Sequence, residues 1–78
     1  MQKVTIYGRD NCGYCRMARD LCERRGFEFR YIDMIAEGIS KADLQSTLGR
    51  PVYTVPQILI GSEYIGGYTD FAARVGAR

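Results

Sequence analysis

The stretch "DNCGYCRMARDLCERRG", Asp10 to Gly26, holds two cysteines separated by two residues and a third seven positions further on. Within it Cys15, Ala18, Leu21 and Cys22 recur at helical spacing, and Gly26 stands where a helix stops. The pattern predicts a first helix over Gly13–Arg25 with Cys12 at its entrance. Ahead of it, "KVTIYG", Lys3 to Gly8, is rich in β-branched and aromatic residues, which suits a strand buried on both faces. Arg9 to Asn11 form the polar turn between the two.

Working outward, "EFRYIDM", Glu28 to Met34, sets Phe29, Tyr31 and Asp33 against Arg30 and Ile32, as in a second strand with unequal faces. A helical crossover makes it parallel to the first. Ser40 ahead of Lys41, Ala42 and Asp43 is a variant capping box, opening a second helix that runs to Leu48 and ends at Gly49. "PQILIG" and "EYIGG" flank the turn "GSE" and predict an antiparallel hairpin. "TDFAARVGA" then offers Thr69 as an N-cap and Phe71, Ala72 and Val75 as an apolar stripe. The order β-α-β-α-β-β-α is an α/β architecture, a four-stranded mixed sheet flanked by three helices.

At 78 residues the chain has room for one compact domain, residues 1–78, burying about 60% of the surface that its unfolded form exposes. With 46% hydrophobic and 26% charged residues and no low-complexity tract, an ordered core is expected. Eleven Lys and Arg against nine Asp and Glu leave a net charge of +2. That is too slight and too scattered for nucleic-acid binding through phosphate neutralisation, though compatible with a small anionic ligand. The start "MQKVTIYG" lacks the long apolar region of a signal peptide, and no stretch reaches the length of a bilayer span. A cytoplasmic protein without a membrane partner is the expectation. Three cysteines do not make the even disulfide framework of a secreted mini-protein, whereas one C-x-x-C in a βαβ context reads as a redox motif.

Residues at i and i+3 of a helical turn have Cα atoms about 5 Å apart, close enough for a disulfide. Cys12 and Cys15 can therefore pair and separate, while Cys22, about 10 Å from Cys15 along the same helix, cannot join them. At a helix start, unpaired backbone N–H groups and the positive dipole end favour a thiolate, which makes Cys12 the nucleophile. Arg9 and Arg16 flank the pair and add positive potential. Attack on a disulfide gives a mixed disulfide that Cys15 or an external thiol then resolves. Half a zinc site is the competing reading of C-x-x-C, but the chain has no histidine and Cys22 lies too far along the helix, so no metal is expected. Cys22 reads as core packing beside Ala18 and Leu21, and Tyr14 as an exposed ring beside the sulfurs.

"CGYC" after the first strand, "TVPQ" at Thr54 to Gln57 and "GGYTDF" at Gly66 to Phe71 together resemble the glutaredoxins over essentially the whole chain. With "YIDMIAEGISKADLQ", the similarity is to the short bacterial and phage dithiol members. It implies a thioredoxin fold, a cis Pro56 facing the dithiol, and Val55 offering its backbone N–H and C=O to an incoming extended peptide. It further implies glutathione as co-substrate, with no tightly bound cofactor. The glutathione-binding residues so implied are Arg9, Tyr14, Thr54, Val55 and Pro56, with Gly67, Tyr68, Thr69 and Asp70 holding the γ-glutamyl end. Glycines let backbone approach a ligand, a helix opening at Thr69 presents N–H groups to a carboxylate, and Asp70 can accept from an ammonium. The plainer reading of "GGYTD" is a glycine turn followed by a helix cap. Arg50 and Gln57 are further candidates for the ligand's carboxylates.

Thioredoxins usually carry a tryptophan before the first cysteine, and this chain has none, so the resemblance favours glutathione as reductant. The implied activity is reduction of protein disulfides and glutathione mixed disulfides by a monomer that donates electrons to ribonucleotide reductase. Many dithiol members read C-P-Y-C, where this chain has Gly13, and glycine leaves that turn less pre-organised than proline would. Gly13 also motivates the alternative, a [2Fe-2S] carrier bridging two chains with glutathione.

Overall fold

In the computed structural model, which describes residues 1–76, the chain runs β1 (Val4–Gly8), α1 (Gly13–Arg25), β2 (Phe29–Asp33), α2 (Lys41–Leu48), β3 (Gln57–Ile60), β4 (Glu63–Gly66) and α3 (Tyr68–Arg74). The expected order is observed, both α1 and α2 have the expected bounds, and the strands are slightly shorter than the sequence pattern suggested. Ala77 and Arg78, included in the expected domain, lie outside the described residues.

The sheet order is β2-β1-β3-β4, with β1 parallel to β2 and antiparallel to β3, and β3 antiparallel to β4. The helical crossover through α1 makes the first pairing parallel, and the short turn after β3 makes the last one antiparallel. β1 is thus an inner strand: Ile6 lies between Tyr31 and Ile58, and Val4 between Phe29 and Ile60.

Alternation along β1 sends Val4, Ile6 and Gly8 to a fully covered face and leaves Thr5 and Tyr7 half-buried on the other. The expectation of burial on both faces therefore holds for one face only. On the covered face, Ala18, Leu21 and Cys22 of α1 and Phe71 of α3 close over Val4, Ile6, Ile58 and Ile60. Each such Leu, Ile or Phe contributes about 1.5–3 kcal/mol by leaving water. Among the described residues, the opposite face has only the short α2, whose Leu44 packs on Met34 and Val52 against Tyr7 and Val55. Too little apolar surface arrives there to bury the strand completely.

Local chemistry sets the helix ends. Gly26 stops α1 in the left-handed conformation at φ 68°, with Phe27 N–H bonded back to the Cys22 carbonyl at 3.0 Å. At α2, Asp43 N–H donates to Ser40 Oγ and Ser40 N–H donates to Asp43 Oδ2, both at 2.9 Å, completing the capping box.

The expected cap of α3 is corrected. Gly67, not Thr69, is the N-cap, because Phe71 N–H already bonds to the Gly67 carbonyl at 3.0 Å and the Asp70 carboxylate accepts the Gly67 N–H at 3.2 Å. Thr69 sits inside the first turn. Glycine is required at position 66, where φ is +126° and a Cβ would lie 2.5 Å from Asp70 Oδ2. Arg74 secures the helix to β4 through two 2.8 Å bonds to the Glu63 carboxylate.

Candidate active site

Cys12 is the N-cap of α1. Its backbone is extended, with φ −117° and ψ 107°, and its carbonyl already accepts Arg16 N–H at 3.1 Å. In place of a hydroxyl or carboxylate, it is Sγ that accepts the N–H of Cys15, at 3.2 Å. Cys12 and Cys15 are joined as a disulfide with Cα atoms 5.2 Å apart, in line with the expected helical spacing. Access separates the two: Cys12 is half-buried, whereas Cys15 is fully buried.

The strand ahead shapes the space behind the pair. A Cβ at Gly8 would lie 3.0 Å from Cys15 Sγ and 2.5 Å from the Tyr31 hydroxyl, so any side chain there would displace one or the other. Tyr31 O–H donates to the Arg9 carbonyl at 3.2 Å and anchors the turn that delivers Cys12. Burial pushes the Tyr31 phenol above its usual range, with the Arg19 guanidinium, 4.9 Å from the ring centre, opposing the shift. This supporting tyrosine was missed by sequence reasoning, since only the β1–β2 register brings it to the turn.

Opposite the sulfurs runs the loop before β3. The Val55–Pro56 bond is cis, as the resemblance implied, and the Val55 carbonyl lies 3.7 Å from Cys12 Sγ. Gln57 is only 5% exposed; its Nε2 donates to the Thr54 carbonyl at 2.7 Å, and its Oε1 accepts the Tyr64 O–H at 2.5 Å. Arg50 stacks on Tyr64 with 4.1 Å from guanidinium carbon to ring centre. The side chain considered for a ligand carboxylate is thus committed beneath the loop, holding Thr54 and Val55 in place. Tyr64, which completes that support, was not anticipated.

A groove of about 840 Å³ lies beside this loop. It brings together Tyr14, Thr54, Val55, Pro56, Gly67, Tyr68, Thr69 and Asp70, all expected at the site, and Arg50 lines it too. Tyr14 is 60% exposed, with its ring centre 6.2 Å from that of Tyr68, so the starts of α1 and α3 share an aromatic wall. Arg9 is not in this groove. It lines a small cleft with Cys12, Arg16 and Tyr31, and another that meets the groove at Thr54 and Val55.

Cys22 is fully buried in the core, and burial pushes its thiol up to about 11, which keeps it protonated and inert. Among the described residues no cluster of three or more His, Cys, Asp or Glu is placed to hold a metal ion. No helix among them is long and apolar enough to cross a membrane.

Comparison with known proteins agrees with this geometry. The glutaredoxin family model matches residues 4–65. Over 80 aligned residues the chain is 54% identical to glutaredoxin 1 of Escherichia coli (strain K12), covering 96% of this chain and 93% of that protein. Identity to the glutaredoxin of Vibrio cholerae is 52%, with 90% and 86% covered. Among solved structures, reduced E. coli glutaredoxin superposes with a TM-score of 0.81 at 50% identity, covering 96% and 94% of the two chains. The buckwheat glutaredoxin–glutathione complex superposes at 0.72 and 26% identity, covering 94% and 69%. The architecture is therefore the thioredoxin fold of these proteins, and the chemistry open to its cysteine pair is thiol–disulfide exchange. With more than half of the aligned positions identical across nearly the full length of both chains, the protein belongs to the glutaredoxin family, and Cys12–Cys15 stands at its redox centre.

Proposed function

We propose that this glutaredoxin uses glutathione to reduce protein disulfides and glutathione mixed disulfides, with Cys12 as nucleophile and Cys15 as resolving thiol. The observation that carries the reading is the bond from Cys15 N–H to Cys12 Sγ at the mouth of α1, with the Val55 carbonyl 3.7 Å from that sulfur. In the reduced protein, the backbone donor and the helix dipole favour the Cys12 thiolate. It attacks one sulfur of the substrate disulfide, forming a Cys12–substrate bond while the other sulfur leaves as a thiolate and takes a proton from solvent.

Cys15, once deprotonated, attacks Cys12 Sγ, expels the second substrate thiol and forms the intramolecular disulfide. Two glutathione molecules then restore the dithiol and depart as glutathione disulfide. The net change is one protein disulfide and two glutathiones converted to one protein dithiol and one glutathione disulfide. A glutathione mixed disulfide needs only Cys12, because a second glutathione can resolve the intermediate. Glutaredoxin potentials of about −200 to −230 mV lie within reach of a cytosolic glutathione pool.

Glutathione would lie along the groove, its cysteinyl unit paired in strand fashion with the N–H and C=O of Val55. Its γ-glutamyl end would meet Gly67, Tyr68, Thr69 and Asp70. One Asp70 oxygen holds the Gly67 N–H, which leaves the exposed carboxylate able to accept from the ligand's ammonium. Tyr14 would cover the sulfur, Thr54 and Pro56 would wall the cysteinyl unit, and Arg9 would face the glycyl carboxylate across Val55. That the buckwheat protein is a glutathione complex supports the assignment. Similarity to short bacterial dithiol glutaredoxins supports ribonucleotide reductase as protein substrate and a monomer acting in the cytoplasm. The cluster-carrier alternative depended on Gly13, yet a Cβ there meets nothing within 4 Å, so the glycine opens no cradle that a larger residue would fill.

The test couples glutathione, glutathione reductase and NADPH to reduction of bis(2-hydroxyethyl) disulfide. Turnover with glutathione is expected. Turnover with thioredoxin reductase in its place, and none with glutathione, would overturn the assignment of reductant.

A further inference from the structure

The groove beside the cis-proline loop meets a second depression, of about 380 Å³, at Thr54 and Val55. Met34 and Val52 of the smaller core form part of its lining, together with Ile35 and with Tyr53, which also lines the first groove. At 76% and 84% exposed, these two are the most exposed large apolar side chains among the described residues. Leaving them in water costs the hydrophobic contribution that a partner would recover.

The rim is set rather than adaptable. Asp33 Oδ1 accepts the N–H groups of Ile35 and Ala36 at 3.0 and 3.1 Å, fixing the turn that presents Ile35. Lys41 Nζ lies 5.8 Å from the Tyr53 ring centre. Arg9 and Lys41 are the charged residues lining the depression, and both are cationic.

Direction follows from the glutathione assignment, on which this inference rests. With the γ-glutamyl end at Gly67–Asp70 and the cysteinyl unit at Val55, an extended chain leaves that groove through the second depression. Glutathione stops there after one glycine, whereas a polypeptide continues. We propose that this depression docks the segment that follows the reactive cysteine of a protein disulfide, and that Ile35, Tyr53 and Lys41 select apolar and acidic side chains in it.

Two synthetic peptides with an identical disulfide loop test this, one ending at its second cysteine and one continued by Leu-Glu-Phe-Glu. With glutathione and glutathione reductase, the wild-type protein should reduce the tailed peptide with kcat/KM about tenfold higher, through a lower KM. Ile35→Ser should remove most of that preference while leaving the untailed peptide and bis(2-hydroxyethyl) disulfide within about twofold of wild type. Lys41→Glu should lower the rate on the acidic tail and raise it on a tail with lysine in place of glutamate. Equal wild-type kcat/KM for the tailed and untailed peptides, or an Ile35→Ser variant that keeps the full preference, would overturn the docking assignment. A wild-type protein inactive on every one of these substrates would instead overturn the glutathione reading itself.

Discussion

The Gln57 side chain spans the loop beside the redox centre, its amide donating to the Thr54 carbonyl at 2.7 Å while accepting the Tyr64 hydroxyl at 2.5 Å. A buried amide with both ends engaged is worth more than an exposed one, because removing it strands its partners away from water. Gln57→Leu should cost roughly 1–3 kcal/mol of stability and raise KM for glutathione mixed disulfides more than it lowers kcat, since Val55 loses its support. Tyr64→Phe should do the same more weakly. Chemical denaturation and steady-state kinetics on a glutathionylated peptide measure both effects.

The two sulfurs differ in access, and their substitutions should differ in outcome. Cys12→Ser should remove all exchange activity. Cys15→Ser should keep deglutathionylation and lose reduction of intramolecular protein disulfides. Assays of both variants on both substrate types check the roles; a Cys12→Ser protein that retains either activity would reverse them.

Cys22 should stay silent in the folded protein. In the reduced state at neutral pH, iodoacetamide should label Cys12 and leave Cys22 untouched until denaturant is added, as peptide mapping will show. Burial raises the Cys22 thiol from an ordinary 9.0 to about 11, so the folded state favours its protonated form. That contribution to stability is complete below pH 9.0 and is lost as the pH rises towards about 11. Cys22→Ala should therefore show a shallower alkaline loss of stability than wild type in urea unfolding curves.

At α2 the reciprocal bonds between Ser40 and Asp43 hold the Asp43 carboxyl below its usual range. The sign is opposite to that of Cys22: stabilisation is present above the unfolded carboxylate's titration and disappears as acid protonates it. Ser40→Ala should lower stability by about 1 kcal/mol at neutral pH and flatten the acid limb, measurable as Tm against pH.

Most of the architecture was legible because its signals are local. The α1 pattern, the Ser40 cap and the glycine-bounded hairpin each depend on neighbours a few residues apart, and each formed where expected. The α3 cap was misread because Thr69 is a good capping residue in isolation. The Asp70 carboxylate instead captures the Gly67 N–H, starting the helix earlier. At the site, the cysteine pair and both loop segments were legible from motif. The Gln57–Tyr64 support, the Tyr31 anchor of the Arg9 turn and the Ile35–Tyr53 rim were not. All three join residues brought together only by the sheet register or by loops from different parts of the chain, for which periodicity has no signal.

The direct test of the mechanism is the titration of Cys12 in the reduced protein, followed by ultraviolet thiolate absorbance and by the pH dependence of iodoacetamide alkylation at that residue. A sulfur capping a helix and accepting a backbone N–H should ionise clearly below the value of an ordinary thiol. An inflection at or above that ordinary value would contradict the account.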